Sequence, residues 1–112
     1  MDENINKFEV FQFQADLCKA LSDPKRLRII HELRDGPKSV TEIAQLLGLK
    51  QSNTSQHLSV MRNAGIVIPR REQNTVYYSL FDPKIAEACD LVRGIIIEKL
   101  KRNQSLTGSI IS

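Results

Sequence analysis

The sequence predicts a single mainly α-helical domain with a small β-hairpin, and three observations in its middle third carry that expectation. Residues 39–64 hold two short stretches of helical periodicity on either side of Gly48, the first opened by Ser39 and Glu42 at capping-box spacing. Ile66-Val67-Ile68 and Thr75-Val76-Tyr77-Tyr78-Ser79 then read as paired strands around a polar, basic connection. From Ile43 through Arg71 there is no Asp or Glu, although the chain has 13 of them, while Lys50, Arg62, Arg70 and Arg71 all fall inside. Two helices across a tight turn, followed by a basic hairpin, make a winged helix-turn-helix in the order α-α-α-α-β-β-α.

The first helix is expected from about Asn6 to Leu21, with Phe8, Phe11, Ala15, Cys18 and Leu21 at helical spacing. Val10, Phe13 and Leu17 add more apolar surface than one buried face of a small domain needs. Ser22-Asp23-Pro24 ends it and starts another helix, because Asp accepts from free N–H groups at a helix start and Pro is favoured at the first helical position. Leu27, Ile29, Ile30 and Leu33 mark the core side of this second helix, which stops near Asp35-Gly36-Pro37. In the third helix Val40, Ile43, Leu46 and Leu47 supply the inward face. Gly48 closes it, and Leu49 plugs the corner before the next helix.

That fourth helix is expected over Gln51–Ala64. On a wheel of about 100° per residue, Val60, Asn53, Ala64, His57, Met61, Thr54 and Leu58 gather on one side. Gln51, Arg62, Ser55, Ser59, Ser52, Asn63 and Gln56 take the other. Uncharged hydrogen-bonding groups with one Arg suit base edges and phosphate oxygens, whereas an ordinary solvated helix carries Glu and Lys there. Lys50, at the start, cannot cap the helix and is assigned a phosphate contact. Pro69 limits the first strand to an edge. Arg70, Arg71, Glu72, Gln73 and Asn74 are assigned to the tip of the hairpin, with Asn74 tolerating a left-handed turn. Pro83 starts a long last helix, Lys84 to about Lys101, with Ile85, Ala88, Cys89, Val92, Ile95, Ile96 and Leu100 in one stripe and Leu91 and Ile97 off it. The excess apolar surface on the two terminal helices predicts dimerisation through them. The domain is expected to end near residue 102, with 103–112 a frayed tail.

Composition narrows the function classes. No apolar run reaches transmembrane length, and the acidic start MDENINKFEVF lacks the basic onset of a signal peptide, so a soluble, cytoplasmic protein is expected. The net charge of +3 is mild; its segregation is what points to nucleic acid. No nucleophile–base pair, metal cluster or phosphate loop is present, so neither enzymatic activity nor a cofactor is expected. The expected partners are double-stranded DNA and a second copy of the chain, with no membrane and no inducer that the residues identify. A winged-helix protein-interaction module is the alternative, and an acidic or apolar outward helix face would have favoured it.

The segments LSDPKRLRIIHEL, SVTEIAQLLGLKQSNTSQHLSVMRNAGIV and RREQNTVYYSL resemble the ArsR/SmtB family of winged-helix repressors over about residues 15–100. The resemblance implies a homodimer that binds a palindromic operator and is released by an inducer. Carried over by position, Gln51, Ser52, Ser55, Gln56 and His57 sit on the DNA-facing helix and Arg70, Arg71 and Asn74 on the wing. Asn53 and Arg62 complete the expected set. The family's inducer sites are not reproduced: Ser39, Thr41 and Ala44 stand where its thiolate site has cysteines. Asp82 and Glu98 match its other metal site, but Lys84 and Ile95 replace the histidines, so no metal is expected. His57 is open between a half-buried structural imidazole and a phosphate contact. Cys18 and Cys89, on the two terminal helices, are open between small core residues and a dithiol switch. The latter has a parallel in family members that sense reactive sulfur through a cysteine pair.

Overall fold

A computed structural model describes residues 6–107, with side chains through residue 104. The element order is α1 (Lys7–Ala20), α2 (Pro24–Leu33), β1 (Lys38–Ser39), α3 (Val40–Leu47), α4 (Gln51–Asn63), β2 (Val67–Glu72), β3 (Thr75–Leu80) and α5 (Lys84–Thr107). Local chemistry sets most of the boundaries. Asn6 caps α1 by accepting from the Phe8 N–H, and Asp23 caps α2 by accepting from Lys25 and Arg26, with Pro24 at the first helical position. The capping box of α3 forms in both directions: the Glu42 N–H donates to Ser39 Oγ, and the Ser39 N–H donates to Glu42 Oε1. Gly48 ends α3 with φ 67°, a left-handed conformation that costs a residue with Cβ about 1–2 kcal/mol.

The sheet has three strands rather than the expected two, in the order β1-β3-β2 and all antiparallel. Lys38 pairs with Tyr78 and Ser39 with Tyr77, so β3 is central and β2 lies at an edge, where Pro69 sits. The wing's tip is tighter than expected. Arg70, Arg71 and Glu72 lie in β2 opposite Tyr77, Val76 and Thr75, which leaves only Gln73 and Asn74 in the loop. Gln73, not Asn74, takes the left-handed conformation, at φ 54°.

The core joins α2, α3, α4 and the strand after it: Ile29, Ile30, Ile43, Leu58, Met61, Ile66 and Val67 are fully buried. Four residues expected to face inward do not. Leu46 is 48% exposed and Ala44 takes its place inside; Leu27 is partly exposed; and Val60 and Asn53 face outward, because α4 buries the narrower stripe Thr54, Leu58 and Met61. Thr54 is tolerated there because its hydroxyl donates to the Lys50 carbonyl at 3.0 Å.

α5 runs six residues past its expected end near Lys101, so 103–107 are helical rather than frayed; the rest of the expected tail, 108–112, lies outside the described residues. Only its first turns pack inward, through Ala86, Ile85 and Cys89, and Arg34, at the C-cap of α2, ties it down by an ion pair to Asp90 at 3.1 Å. α1 buries only Ala20. The radius of gyration, 16.9 Å, exceeds the ~13 Å of a compact chain of this size because these two helices project from the core.

Candidate nucleic-acid interface

The turn between α3 and α4 is built from backbone chemistry. Gly48 reverses the chain, the Leu49 N–H donates to the Ala44 carbonyl at 2.9 Å, and the Leu49 side chain packs against the core. Lys50 occupies the N-cap of α4 and makes no side-chain capping bond, which leaves its ammonium in solvent beside free N–H groups. The Gln51 amide donates across the corner to the Thr41 hydroxyl and pins the two helices together.

The exposed surface of α4 comprises Gln51, Ser52, Asn53, Ser55, Gln56, Ser59, Val60, Arg62 and Asn63, with no carboxylate among them. Together with the partial positive charge of the N-terminus of α4, this face is neutral to positive throughout. His57 is half-buried at its margin. Its Nδ1 faces the Arg26 guanidinium of α2 at 3.3 Å.

Two acids flank this surface, and both are held ionised. The Asp23 carboxyl is partly desolvated, which pushes its pKa up. Hydrogen bonds from the Lys25 and Arg26 N–H groups, with the charge of Arg26, outweigh that and keep it below its usual range. The backbone N–H and then the hydroxyl of Ser39 lower the Glu42 pKa. Each of these carboxylates is consumed as a helix cap.

On the wing, Arg70, Arg71, Gln73 and Asn74 are exposed. Arg70 pairs with Glu72 at 2.8 Å on the same face of β2. The carboxylate-free run stops one residue too early to reveal this partial neutralisation. Arg71 points to the other face, and among the described residues no carboxylate pairs with it. Arg71 rather than Arg70 is therefore the unopposed cation of the wing among the described residues.

Cys18 and Cys89 line one groove between α1, α2 and α5, about 970 Å³ in volume, within a single protomer. Leu17, Leu21, Leu27, Ile85 and Val92 form much of its wall. Cys18 is exposed and Cys89 half-buried; desolvation pushes the Cys89 thiol up, opposed by Arg93 and reinforced by Asp90 and Cys18. No cluster of three or more metal-ligating side chains occurs among the described residues, and none of their helices is long and apolar enough to cross a membrane.

A helix pair whose second member has a carboxylate-free exposed face, followed by a basic β-wing, defines a DNA-binding protein of the winged helix-turn-helix class. Comparison with known proteins narrows it further. Residues 23–68 match the family described as bacterial regulatory protein, arsR family. The chain is 41% identical over 76 residues to the HTH-type transcriptional regulator NmtR of Mycobacterium tuberculosis. That alignment covers 68% of this chain and 63% of NmtR, less than two thirds of its length. It is 36% identical over 88 residues to the biofilm growth-associated repressor of Xylella fastidiosa, covering 79% of this chain and 77% of that one. The structure superimposes on a homodimeric winged helix-turn-helix DNA-binding domain from Mycobacterium bovis with a TM-score of 0.79 at 28% identity, covering 91% and 95% of the two chains. The chain belongs to the ArsR family and is a helix-turn-helix transcriptional regulator.

Proposed function

We propose that the chain is a repressor that binds a palindromic operator as a homodimer, with the thiols of Cys18 and Cys89 as its input. The observation that carries the DNA reading is the exposed face of α4, polar, carboxylate-free and contiguous with Lys50. In this reading Gln51, Ser52, Asn53, Ser55, Gln56 and Arg62 enter a major groove, with His57 at its edge. Lys50, Arg70, Arg71 and Asn74 contact the backbone. Two-fold symmetry sets the half-sites about 34 Å apart, one helical turn.

The dimer is supported by apolar surface that one protomer leaves in solvent. Phe8 is 82% exposed and Leu91 73%, and Phe11, Phe13, Val92, Ile95 and Ile96 add to the same two helices. A patch of this kind marks an association surface, and the Mycobacterium bovis domain is described as homodimeric. The repressor assignment is supported by the relative that bears that name.

The thiol input is supported by the shared groove. Two thiols there form a disulfide by giving two electrons and two protons to an oxidant such as glutathione disulfide, which leaves as two glutathiones. The bond draws the end of α1 toward α5, provided the two α-carbons come within about 7 Å. Titrating a fluorescent fragment of the gene's own upstream DNA across a salt series, before and after oxidation, tests both parts. Absence of binding above that to unrelated DNA sinks the operator reading. Unchanged affinity with a disulfide verified by mass spectrometry sinks the switch alone.

A further inference from the structure

Arg26 sits outside the recognition helix yet is bonded to it. Its Nε–H donates to the Ala20 carbonyl at 2.5 Å, in the last turn of α1, where helix carbonyls lack intrahelical partners. Its Nη1–H reaches Nδ1 of His57 at 3.3 Å, across 31 residues of sequence. A guanidinium only donates, so the imidazole nitrogen facing it must be the bare acceptor, and the ring proton must lie on Nε2. Nothing among the described residues bonds to Nε2, and no buried side-chain nitrogen or oxygen is left without a partner, so the Nε2–H of this half-buried ring opens to solvent. His57 follows Asn53 by four residues, one turn of α4, at the margin of the carboxylate-free face.

We propose that Arg26 is a positioning residue for DNA binding: braced on the Ala20 carbonyl, it holds His57 in the neutral Nε2–H form and aims that N–H at a phosphate oxygen of the bound duplex. The inference rests on the proposed placement of α4 in the groove. Because His57 stays neutral, its contact adds a hydrogen bond without releasing a counterion. Arg26 contributes through His57 and not through its own charge. Asp23, beside this pair, is occupied in capping α2 and leaves the Arg26 fork to the imidazole.

The test is a double-mutant cycle on operator affinity with a spectroscopic readout on the ring. Arg26→Met and His57→Leu should each weaken binding roughly 10- to 100-fold, the worth of one hydrogen bond to a charged acceptor. Combining them should cost no more than His57→Leu alone, and the salt slope should match that of the unmodified protein. Nitrogen NMR should find His57 as the Nε2–H tautomer in the unmodified protein and a tautomer mixture in Arg26→Met. If Arg26→Met fails to fold, Arg26→Lys serves instead, since it keeps the charge and loses the two-pronged fork. An Arg26 effect that persists in full beside His57→Leu, or a salt slope lower by about one, means a direct phosphate contact and overturns the proposal. So does an Nδ1–H tautomer, or unchanged affinity in Arg26→Met. If the unmodified protein prefers none of its upstream DNA, the operator reading has failed and not this contact alone.

Discussion

Replacing Ser55 with Glu puts a single carboxylate on a face of α4 that has none. Ser55 is exposed in the second turn of the helix, and Glu is at least as good a helix former as Ser, so folding should not change. In the proposed complex the new charge lies about 5 Å from a phosphate. At an effective dielectric between 20 and 80, the repulsion is about 1 to 3 kcal/mol. Both protomers of the dimer carry it, so binding should weaken by about 2 to 6 kcal/mol, roughly 30- to 20,000-fold. Fluorescence anisotropy on the upstream fragment measures this, with Ser55→Gln as the uncharged control of similar length and a thermal melt to verify folding. The penalty should shrink as salt rises, because screening acts on exposed charges. Equal affinities for Ser55→Glu and Ser55→Gln at low salt would refute the placement of α4 against DNA.

Arg71→Ala should weaken binding to every sequence alike and lower the salt slope by about 0.9 per protomer, while Arg70→Ala, whose charge Glu72 already opposes, should change it less; the same anisotropy series reads both. Ile95→Glu should turn the dimer into monomers by sedimentation, since Ile95 is exposed on the apolar stretch of α5 and a charge there is costly to bury against a partner. Ser39→Ala should cost about 1 kcal/mol in urea unfolding through loss of the α3 cap. The Glu42 pKa is lowered by folding, so its contribution is present above the ordinary value of 4.5 and is lost as pH falls through the lower folded one; Glu42→Gln should flatten that part of the stability profile. Iodoacetamide followed by mass spectrometry should label Cys18 before Cys89, because Cys18 is exposed and desolvation keeps the Cys89 thiol protonated.

Features fixed by neighbours in sequence were legible in it. Asp23-Pro24, the Ser39–Glu42 box and Gly48 each act within four residues, and the structure forms all three. The missing carboxylates in 43–71 were legible because charge segregation is a property of composition along the chain. What stayed hidden depends on distant partners. The two residues of β1 are too few for any strand pattern, and only Tyr77 and Tyr78 make Lys38-Ser39 a strand. Leu46 fits helical periodicity but lies beyond the reach of the core, and the smaller Ala44 suits the crowded side. The contact of Arg26 with His57 needs the tertiary fold to exist at all. The polar run Asn103-Gln104-Ser105 resembles a tail, yet it continues α5, because nothing in it breaks a helix.

Ser39 is at once the last residue of β1 and the N-cap of α3, so no slack separates the sheet from the first helix of the reading unit. One more residue inserted at this joint would misregister Ser39 from Tyr77 or uncap the helix. The reach from wing to recognition helix is therefore a fixed gauge, built into each protomer like the span of a caliper. In the proposed dimer the adjustable dimension is the separation of two such gauges, so adaptation to operators of different half-site spacing falls to the terminal helices.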